Sequence, residues 1–141
     1  MLNELLFVYG TLRQKVGHPL HRPLKLYGEW YRDAYMQGCL FDIAGYPGAI
    51  ESFNPSHRVK GELYRINDRK RLFALLDDYE ECSNKFPKPH EYQRKIVTVH
   101  TIRGDMLSAW AYIYRRSTTQ LERIPDGDYL RFLRLRNSAL T

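Results

Sequence analysis

The sequence predicts an α+β domain: a curled mixed sheet or small barrel of five to six strands, with one main helix and a short C-terminal helix. Three observations carry this reading. Apolar and β-branched runs recur between turn signals, a single long stretch repeats its leucines at helical spacing, and the composition is rich in tyrosine. With 141 residues the chain is expected to form one domain over 1–141, large enough for a proper core and too small for two.

The first strand is Leu5-Leu6-Phe7-Val8, four apolar residues without alternation, as expected of a strand buried on both faces. Gly10 then turns the chain, and Tyr9-Gly10-Thr11-Leu12 forms a loop at the strand end. Such a loop leaves backbone N–H groups free to hold a small carboxylate, and glycine lets a ligand approach closely. A plain turn is the alternative use of Gly10. The loop has neither a second Gly-x-x-Gly spacing nor a Gly-Lys-Ser/Thr, so dinucleotide and P-loop phosphate binding are disfavoured.

Two prolines interrupt His18 to Leu24, leaving room for at most one helical turn. His18 and His21 have the spacing of one helical face but lack an acidic or cysteine partner nearby, which argues against a metal site. Trp30 to Ile43 reads as strand, Gly45-Tyr46-Pro47-Gly48 as a turn, and Ala49-Ile50 as a short returning strand. Arg58 to Ile66 is another strand, and Asn67 or Asp68 caps the helix from Arg69 to about Glu81. Tyr92 to Ile102 and Leu107 to Tyr114 form a hairpin across Arg103-Gly104-Asp105, and Asp126 to Arg134 reads as a short capped helix placing Leu130 and Leu133 on the body.

The charge of +6 invites a nucleic-acid partner, but the basic residues are dispersed except near Arg115-Arg116 and Arg131, Arg134 and Arg136. No helix-turn-helix, RNA-recognition or zinc-finger pattern is present, so a solvated basic face is expected and no nucleic-acid partner. No apolar run approaches a membrane span and the N-terminus lacks a signal-peptide pattern, which places the chain in the cytoplasm. Cys39 and Cys82 form no Cys-x-x-Cys pair, have no histidine neighbour suggestive of a dyad, and are expected to be buried thiols.

The main helix holds the most informative residue. At roughly 100° per residue from Leu72, Leu75, Leu76 and Tyr79 fall within about 60° of it, and Phe73 at about 100°. Glu80 lands at roughly 80°, on the buried side, while Asp77, Glu81 and Asp78 fall on the opposite, solvated arc. A carboxylate taken out of water holds its proton to higher pH, which suits a general acid/base near neutrality. The same angles allow a second placement, in which Glu80 sits at the boundary and reaches past the core or pairs with Arg94.

Phe7-Val8-Tyr9-Gly10-Thr11-Leu12-Arg13, Gly61-Glu62-Leu63-Tyr64, Leu76-Asp77-Asp78-Tyr79-Glu80 and Tyr92-Gln93-Arg94, in this order, resemble the γ-glutamylcyclotransferase-like superfamily. The chain is most similar to its γ-glutamylamine cyclotransferases and to small bacterial relatives of plant avirulence-induced proteins. The resemblance implies a curled sheet with a cavity and release of 5-oxoproline from a γ-glutamyl compound without metal or cofactor. It implies that Tyr9, Gly10, Thr11 and Leu12 bind the substrate's α-carboxylate end, that Glu80 carries the proton, and that Tyr114 is a pocket tyrosine. The partner implied is a small γ-glutamyl substrate; the sequence leaves the oligomeric state open, a monomer being favoured. Two features depart from the family: the connection from Glu81 to Glu91 is long enough to cover the pocket, and the chain's ending is similar to bacterial members of unknown activity, some lacking the glutamate.

Overall fold

A computed structural model describes residues 4–10, 21–83 and 85–139. The elements run β1 (Leu5–Val8), α1 (His21–Tyr27), β2 (Gly28–Ile43), β3 (Tyr46–Glu51), β4 (Arg58–Ile66), α2 (Arg69–Tyr79), β5 (Tyr92–Thr101), β6 (Met106–Tyr114), β7 (Glu122–Ile124) and α3 (Tyr129–Ala139). Strands β2, β4, β1, β6 and β5 hydrogen-bond in that order, and β5 returns to β2 through Ala34, Tyr35 and Met36, closing a five-stranded barrel. The expected α+β architecture is therefore present.

Strand β1 lies between β4, antiparallel, and β6, parallel. All four of its residues are buried. Leu5 and Phe7 enter the barrel interior with Met36, Val59, Leu63, Val99 and Ala111, whereas Leu6 and Val8 face outward into a second core. That second core is the apolar face of α2, where Leu72, Phe73 and Leu76 cover the barrel wall. Burial on both faces is why the strand shows no alternation.

Strand β2 is long because it serves two sheets. Up to Gln37 it pairs with β4 in the barrel; beyond that it pairs with β3 on one side and with β7 on the other. Strand β7 is too short to leave a periodic signal in the sequence. Helix α1 spans seven residues, more than the single turn expected, since Pro23 occupies its first turn, where the missing N–H has no intrahelical role. Helix α3 runs to Ala139, beyond the expected Arg134, and packs Tyr129, Phe132 and Leu133 on the barrel core.

Helix α2 is N-capped by Asp68, whose side chain accepts from the Arg71 N–H at 3.1 Å. Its buried face is turned from the one the leucine spacing implied. Leu75 is 48% exposed, while Phe73 is buried and Asp77 half-buried. The centre of the covered face therefore lies roughly 50° round from Leu72, toward Phe73, which brings in Asp77 and leaves Glu80 still closer to the middle. The cysteines also differ from expectation, both being half-buried. No helix among the described residues is long and apolar enough to cross a membrane.

Candidate active site

Helix α2 ends at Glu80, whose N–H donates to the Leu76 carbonyl at 2.9 Å. The chain then turns through Glu81 at φ 56°, with the Glu81 N–H on the Asp78 carbonyl at 3.1 Å and the Cys82 N–H on the Asp77 carbonyl at 2.9 Å. This paired closure is the Schellman arrangement, normally built on glycine. A glutamate there costs on the order of 1 kcal/mol of backbone strain. The turn stops the helix at Glu80 and leaves its side chain beside the end of β1.

A cavity of about 250 Å³ occupies that space. Phe7 to Gly10 at the end of β1, Tyr46 and Pro47 from β3, and Tyr92 and Tyr112 from β5 and β6 line it, together with Tyr79, Glu80, Glu81 and Glu91. Gly10 packs so closely that a Cβ there would stand 2.5 Å from Pro47 Cγ, so no larger residue fits between the opening loop and β3. Glu80 is half-buried on the wall, and no donor from the described residues reaches its carboxyl. Burial, reinforced by the charge of Glu91, pushes the Glu80 carboxyl up to about 8.

The tyrosines around it are structural ties. The Tyr9 hydroxyl donates to the Tyr112 carbonyl at 2.6 Å and accepts from the Ala49 N–H at 3.3 Å; that of Tyr92 donates to the Pro47 carbonyl at 2.6 Å. These bonds hold β3 and Tyr9, just after β1, against β6 and β5. Burial raises both phenols well above the usual tyrosine range, with the Glu80 charge adding to it, so they stay protonated.

Asp77 faces inward to a cluster of its own. Arg94 Nε and Nη2 donate to its two carboxylate oxygens at 3.0 and 3.3 Å, and the Tyr112 hydroxyl donates to Oδ1 at 2.6 Å. The Arg94 guanidinium also lies 3.9 Å from the Phe73 ring centre and 4.8 Å from that of Trp110. Arg94 is thus the partner of Asp77 and not of Glu80. The helical angles missed this because Asp77's partners come from β5 and β6.

Of the residues singled out in the sequence, Tyr9, Gly10 and Glu80 meet on one cavity. Thr11 and Leu12, like His18, lie outside the described residues. Tyr114 is not on the wall: it stands opposite Tyr92 in the β5–β6 ladder, its ring edge-on to Tyr92 at 5.6 Å, and Tyr92 lines the cavity in its place. The sequence reading missed Tyr46, Glu91, Tyr92 and Tyr112 as wall residues; the motif Tyr92-Gln93-Arg94 was the available signal for Tyr92. The 81–91 connection touches the cavity at its ends, Glu81 and Glu91, while its other described residues do not line it. Cys39 has a histidine neighbour after all, His57 Nδ1 at 3.2 Å, brought there by the loop after β3; neither lines the cavity. Among the described residues no three metal-ligating side chains gather.

The sequence profile of the family described as gamma-glutamyl cyclotransferase, AIG2-like, matches residues 6–131. The chain belongs to this family. Solved structures of the gamma-glutamyl cyclotransferase-like fold align over most of it. YkqA from Bacillus subtilis is 26% identical with a TM-score of 0.73, covering 97% of this chain and 43% of its own. This chain thus spans less than half the length of YkqA. An aig2-like protein from Mus musculus is 22% identical with a TM-score of 0.63, covering 85% of this chain and 82% of its own. A structure named gamma-glutamyl cyclotransferase is 17% identical with a TM-score of 0.59, covering 86% and 69%. None of the curated proteins matches the chain.

Proposed function

We propose that this protein is a γ-glutamylcyclotransferase-type enzyme that releases 5-oxoproline from a γ-glutamyl amine or γ-glutamyl amino acid. The observation that carries the reading is Glu80, a carboxyl drawn out of open solvent onto the same cavity as the backbone of Tyr9 and Gly10. Family membership supports the reaction class.

In this reaction the substrate's α-amine attacks its own γ-carbonyl carbon. A C–N bond forms to close the five-membered ring, and the bond from that carbon to the leaving amine breaks. The α-ammonium must first lose a proton, and the departing nitrogen must gain one. Glu80 in its ionised form takes the first proton and returns it in the second step. The opening loop anchors the α-carboxylate so that amine and carbonyl are held together, a positioning task suited to fixed backbone groups.

The test is to incubate the protein with a panel of γ-glutamyl amines and amino acids and assay 5-oxoproline. Turnover by the natural sequence is expected, and Glu80→Gln should lower kcat by about 10²- to 10⁴-fold. Unchanged turnover in that variant removes Glu80 from the mechanism. Saturable binding of a carboxylate ligand without product assigns the protein instead as a non-catalytic binding module on the same fold.

A further inference from the structure

We infer that the rim of this cavity selects γ-glutamyl amides whose leaving amine carries a second positive charge, and that Glu91 is the specificity-determining residue. The inference rests on the cyclotransferase reading and names a substrate class for it.

Glu91 stands at the entry to β5, across the 81–91 connection from Glu80. Its place is held twice: the Tyr46 hydroxyl donates to Oε1 at 2.5 Å, and its carbonyl accepts from the Arg115 N–H at 2.7 Å. Among the described residues no second donor occupies Oε2. Glu91 is half-buried and its bond to Tyr46 is exposed, so this carboxylate belongs to the mouth. The exposed Glu81 is also on the wall, and Glu80, without a hydrogen-bond donor from the described residues, is a third acid. No described lysine, arginine or histidine lines the cavity. The charge of exposed Arg116 is felt at Tyr46 and Tyr114, but its side chain is not on the wall.

With the glutamyl end at the opening loop, the leaving amine extends toward the mouth. A carboxylate on it would face Glu91 and Glu81, an unfavourable like-charge contact. A plain alkyl amine gains nothing from Glu91. A terminal ammonium, as on an α,ω-diamine, forms a charge-assisted hydrogen bond to the open oxygen of an acid already fixed by Tyr46, in a partly dehydrated mouth where charge pairs are strengthened.

The experiment compares three amides of matched length: mono-γ-glutamyl-1,4-diaminobutane, γ-glutamylbutylamine and γ-glutamyl-4-aminobutanoate. The expected order in kcat/KM is ammonium, then methyl, then carboxylate, with about 10-fold or more between the first two. In Glu91→Gln the ammonium-to-methyl ratio should fall to within about 3-fold, and Tyr46→Phe, which frees Glu91, should reduce it less. The ratio is the readout, because Glu91 also acts on Glu80. Equal turnover of the first two amides, or an unchanged ratio in Glu91→Gln, overturns the inference while the cyclotransferase reading stands. If no amide yields 5-oxoproline, that reading fails, and calorimetry with 1,4-diaminobutane and butylamine decides the rim. Tighter binding of the diamine, lost in Glu91→Gln, supports the inference; equal binding overturns it.

Discussion

Arg94 grips Asp77 through two nitrogens, and so ties strand β5 to helix α2 three residues before Glu80. The pair is partly buried, with 23% and 20% of the two side chains exposed. Asp77 also accepts from the Tyr112 hydroxyl, so one carboxylate sets the approach of the helix end to two strands. Glu80 sits where it does because that approach is fixed.

Asp77→Ala should therefore destabilise the fold by about 2 to 3 kcal/mol, since it strands a half-buried guanidinium and a buried phenol together. Asp77→Asn, which keeps an acceptor for Tyr112, should cost less. Urea unfolding of both variants beside the natural sequence gives the comparison, and equal stabilities would deny the cluster its structural role.

The pH dependence follows from Glu80. Its carboxyl is raised from 4.5 to about 8 in the folded state, so between these values the folded chain holds a proton that the unfolded chain has released. Stability is undiminished by this residue below about pH 4.5, falls as pH rises through the window, and bears the full cost above about 8, on the order of a few kcal/mol. Glu80→Gln should thus unfold at higher denaturant than the natural sequence at pH 9, with the difference shrinking toward pH 5. Activity should run the other way, with kcat/KM rising along a limb near 8 as the base form appears. Removing the neighbouring charge in Glu91→Gln should move that limb downward.

Tyr9→Phe separates support from chemistry. Its hydroxyl is fully engaged with the Tyr112 carbonyl and the Ala49 N–H, and loss of both bonds should cost about 1 to 3 kcal/mol. The effect is expected in unfolding midpoints, with kcat changed only several-fold.

Gly127→Ala tests how α3 is attached. This residue is buried at φ 66°, its carbonyl accepts from the Lys60 N–H at 2.8 Å, and a Cβ would overlap the Arg58 carbonyl. Alanine there meets both a backbone penalty and a clash with backbone, so a loss of more than about 2 kcal/mol is expected. A thermal melt within a degree of the natural sequence would contradict it.

Much of the fold is legible in local pattern. The unbroken apolar run of β1 announces burial on both faces, and the spacing of Leu72 and Leu76 orients α2 well enough to send Glu80 inward. The error in that helix is instructive: Leu75 carries the right chemistry for the core, but the barrel wall meets the helix nearer Phe73, leaving Leu75 in water and drawing Asp77 in. Periodicity gives the angles between residues on a helix; where the covered face begins depends on what the helix lies against.

Residue order alone indicates most of the strands and helices, the inward turn of Glu80, and, through the ordered motifs, the family; it gives neither β7 nor the burial of Asp77. Closure of the barrel supplies the rest. It pairs Tyr46 with Glu91 across 45 positions and gives Arg94 to Asp77, while the β5–β6 ladder sets Tyr92 opposite Tyr114 and the loop after β3 seats His57 beside Cys39. The first two contacts join elements distant in the chain, which only the tertiary fold brings together.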